Sequence, residues 1–420
     1  MNLTRIKNNR IIINIISLGS ATIINAVLAL IVGIVTRNIL GPEQFGYWLT
    51  ISIMFTFIPL LQLGTLNAMN REVPFFVARG EHAKVQLIRE SVFSFMFTIP
   101  VRSVALLIVI SITFFFLDIA YEYKIGLFLA AIISGLTYFS GYVEMYYKSE
   151  QDFKTASRLI SIRSITQSVV TVILVFIWGY EGLYLGLLIA LLLQVFIAKK
   201  TFPSIRKKFD GTVYKSLIKI GFPILLVGFV WSIMIASDRL IIAFFMTPED
   251  LGNYGVGMLV FSSMMLLPQV IGQVLYPKVV EMVSQERHKE IKSFFWKTNI
   301  FLAVIVGIIV IIGYLTIPYL VAWFMPEYEN GIKAAQILVL GIYPLTLVGF
   351  AANYFNSTQS QGTYITIQGI AIFVNIALSI LFIKMNPQIH IVALATSISY
   401  VIYFIIMNLF FLIKVNQVSK

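Results

Sequence analysis

The chain of 420 residues is 59% hydrophobic and only 12% charged, with a mean hydropathy of +0.89. Soluble domains run near ~45–50% apolar and ~25% charged, so a soluble fold is excluded. Cysteine is absent, which removes disulfides, a thiolate nucleophile and thiolate metal sites from consideration.

Uncharged apolar stretches long enough to cross about 30 Å of hydrocarbon predict twelve helices, at 11–36, 45–69, 91–117, 125–147, 159–178, 183–198, 220–246, 251–276, 298–322, 332–352, 363–383 and 389–413. A membrane barrel would alternate polar and apolar residues in ~10-residue segments. These runs are continuously apolar, so the expected class is an all-α polytopic membrane protein. The first stretch follows Arg5, Lys7 and Arg10 and imitates a signal peptide. Its apolar run is too long for one and no A-x-A site follows, so it is expected to stay as an uncleaved first helix.

Lys and Arg in short loops are retained on the cytoplasmic side. With a cytoplasmic N-terminus, the tails and even-numbered loops hold 24 of the 31 Lys and Arg, the odd-numbered loops hold 3 (Arg37, Lys124 and Lys384), and the spans hold 4. The net charge of +12 is therefore topological. Basic clusters such as Lys199-Lys200 and Arg206-Lys207-Lys208 read as orientation signals and as contacts to anionic membrane lipid, not as a nucleic-acid footprint. No loop is long enough to hold a soluble domain.

Half the chain length separates two similar motifs. Pro42-Glu43-Gln44-Phe45-Gly46 follows the first span and Pro248-Glu249-Asp250-Leu251-Gly252 follows the seventh, an offset of 206 residues shared by His82 and His288. Parallel repeats of this kind predict two six-helix lobes, 1–205 and 206–420, around a central cavity. That is transporter architecture.

The stretch Thr36-Arg37-Asn38-Ile39-Leu40-Gly41-Pro42-Glu43-Gln44-Phe45-Gly46, with Asp238-Arg239-Leu240-Ile241-Ile242 and Leu251-Gly252-Asn253-Tyr254 at the seventh span, resembles the Wzx-type O-antigen flippases. These belong to the multidrug/oligosaccharidyl-lipid/polysaccharide (MOP) exporter superfamily, with its MATE-like fold. The resemblance implies a location in the bacterial cytoplasmic (inner) membrane. It also implies transfer of an undecaprenyl-pyrophosphate-linked oligosaccharide, such as an O-antigen repeat unit, from the inner to the outer leaflet. Polymerase and chain-length components of the same pathway are the partners it implies. A coupling ion, H+ or Na+, is compatible with the residues but not demanded by them.

Ionisable residues inside spans are costly, by ~2.5–3.5 kcal/mol for a central Arg, and are the first candidates for function. They are Arg102, Glu144, Arg163, Asp238, Arg239 and Lys333, with His390 near an outer edge. Arg102 falls about halfway along the third span, beside Pro100, which should loosen the helix there. Its two readings are a cation offered to an anionic substrate and a residue that snorkels or pairs structurally. Arg163 is within snorkelling reach of the headgroups. Asp238 and Arg239, about 100° apart on a helix, are not expected to pair with each other. Arg37 and Lys333 lie at outer span ends, where an interfacial anchor competes with a substrate role.

Neutral polar residues form stripes. Gln361, Tyr364, Gln368, Asn375 and Ser379 recur on one face of the eleventh span, and their amides suit sugar hydroxyls. Gln269 and Gln273, beside Pro268, are a weaker signal of the same kind. Ser157, Ser161, Ser164, Ser168 and Thr171 in the fifth span read as a helix-packing seam. The Phe and Tyr residues are expected to face lipid, pack, or belt the interfaces.

Absences narrow the function. No G-x-x-x-x-G-K-[ST] loop occurs, so the chain is not its own ATPase. The outer-loop carboxylates are scattered over short loops, which disfavours a polymerase or another enzyme, and no cofactor is expected. No His sits mid-membrane, so neither a metal site nor a His proton relay is indicated. A multidrug exporter of organic cations is the competing transporter. It calls for accessible carboxylates, whereas the span interiors here carry a net positive charge.

Overall fold

The structure is a computed structural model that describes residues 3–201, 205, 208, 210–358 and 360–418, with side chains for 27–199, 205, 208, 210–266, 271–272, 275–287, 289–358 and 360–417. The side chains of Arg5, Lys7, Arg10, Lys200, Arg206, Lys207, Pro268, Gln269, Gln273 and His288 lie outside the described residues. In chain order the helices are α1 (Leu3–Ser52), α2 (Met54–Phe57), α3 (Thr65–Ala78), α4 (His82–Met96), α5 (Ile99–Thr113), α6 (Tyr121–Ser149), α7 (Phe153–Trp178) and α8 (Tyr180–Thr201). They continue with α9 (Gly211–Phe245), α10 (Pro248–Met264), α11 (Leu266–Ser284), α12 (His288–Phe324), α13 (Ile332–Thr346), α14 (Gly349–Ser357), α15 (Gln361–Met385) and α16 (Ile389–Val418).

Among the described residues nine helical stretches are long and apolar enough to cross a membrane, or ten if α13 and α14, bent by 42° at Leu347–Val348, form one broken span. Hydropathy alone predicts twelve. The difference lies where the backbone breaks an apolar run. The first two expected spans meet in α1, which continues past 36 to Ser52 and is interrupted only at Gly41, with φ 71° and ψ 172°. The rest of the second passes through α2, a 3-10 turn at Ile58–Gln62 and into α3. The expected span 251–276 is divided between α10 and α11, which meet at Met265. Pro100 also acts differently from the expectation. It occupies the first turn of α5, where a missing N–H costs nothing. The break falls at Phe97 and Thr98, and the Thr98 hydroxyl donates to Phe95 O at 2.6 Å.

The helices form two compact units, one of residues 1–40 and 51–229, the other of 41–50 and 230–420. In the first, α3, α4 and α6 bury Met69, Val73, Val92 and Tyr142 in a shared apolar core. The α7–α8 pair packs closely and buries Ser168 and Thr171, the small-residue seam that membrane helices use for close approach. In the second unit, Phe295, Phe350, Tyr354 and Phe411 form a buried aromatic cluster, with the Phe295 and Phe411 centroids 4.5 Å apart.

The 206-residue offset appears in the backbone. The turn into α4 places Gly80 at φ 72° and the turn into α12 places Glu286 at φ 54°. The following N-cap residues, Glu81 (φ −85°, ψ 58°) and Arg287 (φ −81°, ψ 57°), match. So do the turn hydrogen bonds: Gly80 N to Val77 O and Glu286 N to Val283 O, then Glu81 N to Phe76 O and Arg287 N to Met282 O. His82 and His288 each begin the helix that follows.

The proline–glycine motifs are also reciprocal. A Cβ on Gly46 would lie 1.7 Å from Pro248 O, and one on Gly252 would lie 1.8 Å from Pro42 O. Each motif's glycine therefore admits the other motif's proline carbonyl, a close backbone approach that only glycine permits. A Thr247–Asp250 capping box starts α10 and aims that Pro248 turn.

Candidate functional site

Two polar clusters, one in each unit, collect Glu144, Arg163, Asp238, Arg239 and Asn375. In the first unit, Arg163 of α7 pairs with Glu144 of α6, Nη1 to Oε1 at 2.9 Å. Arg163 also donates to Ser140 Oγ at 3.0 Å. Gln194 of α8 completes the cluster: its Nε2 donates to Glu144 Oε1 at 2.9 Å and its Oε1 accepts from Ser140 Oγ at 2.6 Å. Ser140 and Gln194 are fully buried. Fixed donors satisfy the carboxylate, and the charge of Arg163 is committed to it. Arg163, expected either to snorkel or to meet substrate, is held here by Glu144 and Ser140.

In the second unit, Asp238 of α9 is 5% exposed. Its Oδ2 accepts from the Tyr254 hydroxyl of α10 at 2.5 Å and its Oδ1 from the Arg239 backbone N–H at 2.7 Å. No side-chain ion pair joins Asp238 and Arg239 among the described residues. The Arg239 Nε is buried without a hydrogen-bond partner. Tyr254 also lies within hydrogen-bonding reach of Thr396 in α16. Thr396 accepts from Asn375 Nδ2 of α15 at 3.0 Å, and the same amide reaches Ser399 Oγ at 3.2 Å. Asp238, Tyr254, Thr396 and Asn375 thus tie four helices together.

The polar stripe on α15 lies on a buried face. Tyr364, Gln368, Asn375 and Ser379 are all buried, on a helix packed against α16. Asn375 is committed to Thr396 and Ser399. Gln361, at the start of α15, is only half-buried.

Arg37 is not an interfacial anchor. It is 5% exposed, one turn before the break at Gly41, with Nη1 donating to Gly33 O at 2.8 Å. Lys333 is exposed in the first turn of α13.

Arg102 is the exception among the interior candidates. It is exposed, and no side-chain hydrogen bond or ion pair holds it among the described residues. It shares its helix face with Ile99, Leu106 and Val109, which are 43%, 60% and 59% exposed. Pro100, Val104 and Ser111, on the opposite face, are buried. Arg102 therefore stands as a single cation on an open apolar face.

Sequence reasoning missed three contributors. Gln194 is a lone amide in an apolar run, a signal available but unread. Tyr254 belongs to the Leu251-Gly252-Asn253-Tyr254 motif, where nothing local distinguishes it from a packing tyrosine. Thr396 carries no sequence signal, because its role exists only through α10 and α15.

The profile described as Polysaccharide biosynthesis protein matches residues 11–283, about two thirds of the sequence. The chain belongs to that family. Its fold is MATE-like. The structure described as the inward-facing conformation of a multidrug resistance MATE family transporter of the MOP superfamily matches with a TM-score of 0.80 at 11% identity, covering 94% of this chain and 95% of that one. The lipid II flippase MurJ, in an inward closed conformation, matches with a TM-score of 0.73 at 19% identity, covering 94% of this chain and 87% of that one. A MATE structure in the straight conformation gives a TM-score of 0.69 at 12% identity, covering 97% and 96%. No curated protein sequence matches significantly. Family and fold together describe a helical membrane protein of the polysaccharide biosynthesis family with a MATE-like fold.

Proposed function

We propose that this protein is a flippase of the Wzx type, moving an undecaprenyl-pyrophosphate-linked oligosaccharide from the inner to the outer leaflet of the bacterial cytoplasmic membrane. In this reading twelve spans form two six-helix lobes that work by alternating access, with both termini cytoplasmic. One observation carries it. Of the two interior carboxylates, Glu144 is half-buried and paired with Arg163, and Asp238 is buried and engaged by the Tyr254 hydroxyl, whereas Arg102 is exposed, with no side-chain hydrogen bond or ion pair among the described residues. An exporter of organic cations needs an accessible carboxylate; an anionic headgroup needs an accessible cation.

The physical problem such a substrate poses is that pyrophosphate and sugars cannot cross hydrocarbon while the polyprenyl tail remains there. A guanidinium on an apolar face supplies charge-assisted hydrogen bonds where water is scarce, and its planar fork suits phosphate oxygens better than an ammonium does. The exposed apolar side chains beside Arg102 suit the tail. An inside-negative potential favours outward movement of anions by ~2.3 kcal/mol per charge per 100 mV. A coupling ion, H+ or Na+, is then an addition to the driving force, with Asp238 the carboxylate placed to respond to it.

Deletion of the gene is expected to abolish long-chain surface glycan and to accumulate the lipid-linked unit on the cytoplasmic leaflet. Increased drug sensitivity with intact glycan would replace this reading with the multidrug one. Single units accumulating on the outer leaflet would point to a polymerase instead.

A further inference from the structure

A second polar recess lies at the N-terminal end of α4, apart from both carboxylate clusters. It is a half-open cavity of about 290 Å³ whose walls include His82, Gln86, Arg89, Glu90 and Tyr146. Two of its groups are incompletely matched. Arg89 stacks its guanidinium 4.8 Å from the Tyr146 ring centroid and pairs with Glu150, yet its buried Nε has no acceptor. Glu90 is 7% exposed, and its partner among the described residues is a neutral amide, Gln86 Nε2 donating to Oε1 at 2.9 Å. Among the described residues no ion pair to Glu90 offsets the desolvation of its carboxylate. The recess thus holds an unused donor on a cation and an unneutralised anion side by side.

Depth narrows what could fill it. The third apolar run begins near residue 91. At about 1.5 Å per residue, Gln86 to Glu90 lie roughly 2–8 Å outside the hydrocarbon, within the headgroup layer of a bilayer. The first turn of α4 adds positive potential at the His82 end.

We infer that this recess is a binding site for a zwitterionic phosphate–amine headgroup, that of phosphatidylethanolamine, with the phosphate on Arg89 and His82 and the primary ammonium on Glu90. The inference is independent of the substrate proposed above. A quaternary ammonium has no N–H to give Glu90, and a glycerol headgroup has no positive charge, so the site discriminates among phospholipids that share the phosphate.

The test uses delipidated full-length protein in detergent, with phosphatidylethanolamine, phosphatidylglycerol and phosphatidylcholine at equal concentration, and counts bound lipid by native mass spectrometry. Phosphatidylethanolamine is expected to be retained about tenfold better than the other two, the size of one charge-assisted contact. Glu90→Gln should erase that preference while phosphate-bearing lipids still bind. Arg89→Ala should lose all three and Arg89→Lys should fall between. Glu150→Gln, which breaks the ion pair outside the recess, should leave the preference intact and so separates lipid binding from local stability. Free phosphoethanolamine binding as tightly as the lipid would keep the headgroup chemistry but overturn the lipid as its source. Equal retention of the three lipids, or a preference unaltered in Glu90→Gln, would overturn the inference.

Discussion

The polar cluster around Glu144 and the one around Asp238 solve the same problem with different chemistry. Each holds a carboxylate among apolar helices, where an isolated charge is expensive. Glu144 is offset by a full positive charge, Arg163, with Gln194 and Ser140 filling the remaining valences. Asp238 has neutral and backbone donors instead: the Tyr254 hydroxyl and the Arg239 N–H. The first cluster is a closed pair suited to locking α6, α7 and α8. The second leaves its net charge less tightly matched, and that suits a group whose charge state changes. Arg102 belongs to neither.

Breaking the Glu144 cluster should have the largest effect on stability. Glu144→Ala leaves Arg163 without its counter-charge and is expected to cost about 3 kcal/mol, read as a fall in the thermal unfolding midpoint of the purified protein. Replacing both partners, Glu144→Leu with Arg163→Leu, should recover much of that loss. A double replacement no better than the single one would mean that the pair does more than neutralise charge.

Tyr254→Phe comes next. It removes one hydrogen bond to a charged group, for about 2 kcal/mol. Asp238→Asn should cost less than Tyr254→Phe, since the amide oxygen still accepts from the hydroxyl. If Asp238 responds to a coupling ion, that variant should also make transport insensitive to the ion gradient; an unchanged dependence would remove Asp238 from that role. Gln194→Leu should cost about 1 kcal/mol, the value of a neutral buried hydrogen bond, and leave transport intact.

The smallest effect on stability belongs to Arg102. Arg102→Ala should change the unfolding midpoint little, since an exposed residue with no partners contributes within about 0.5 kcal/mol, yet it should abolish surface glycan. Arg102→Lys should restore transport in part, because charge survives but the fork does not. Full glycan in the alanine variant would end the role assigned to Arg102.

Much of this was legible in the residues. The apolar runs announced helices, and the 206-residue offset marked the two proline–glycine motifs as counterparts, but not that Gly46 and Gly252 each accommodate the other's proline carbonyl. The interior ionisable residues were few enough to name, and they are the residues around which both clusters form. The stripe on α15 shows the limit. Periodicity identified one face carrying Gln368, Asn375 and Ser379 but not what that face meets, and the partners of Asn375 are Thr396 and Ser399, more than twenty residues away.

By itself the sequence determined that the chain is helical and membrane-bound, and that its halves echo each other, because hydrocarbon imposes composition and length on every crossing segment. Only the tertiary structure decided which buried charges are matched and which cation is left open. Those matches depend on side chains from helices distant in sequence, whose neighbours no local pattern specifies.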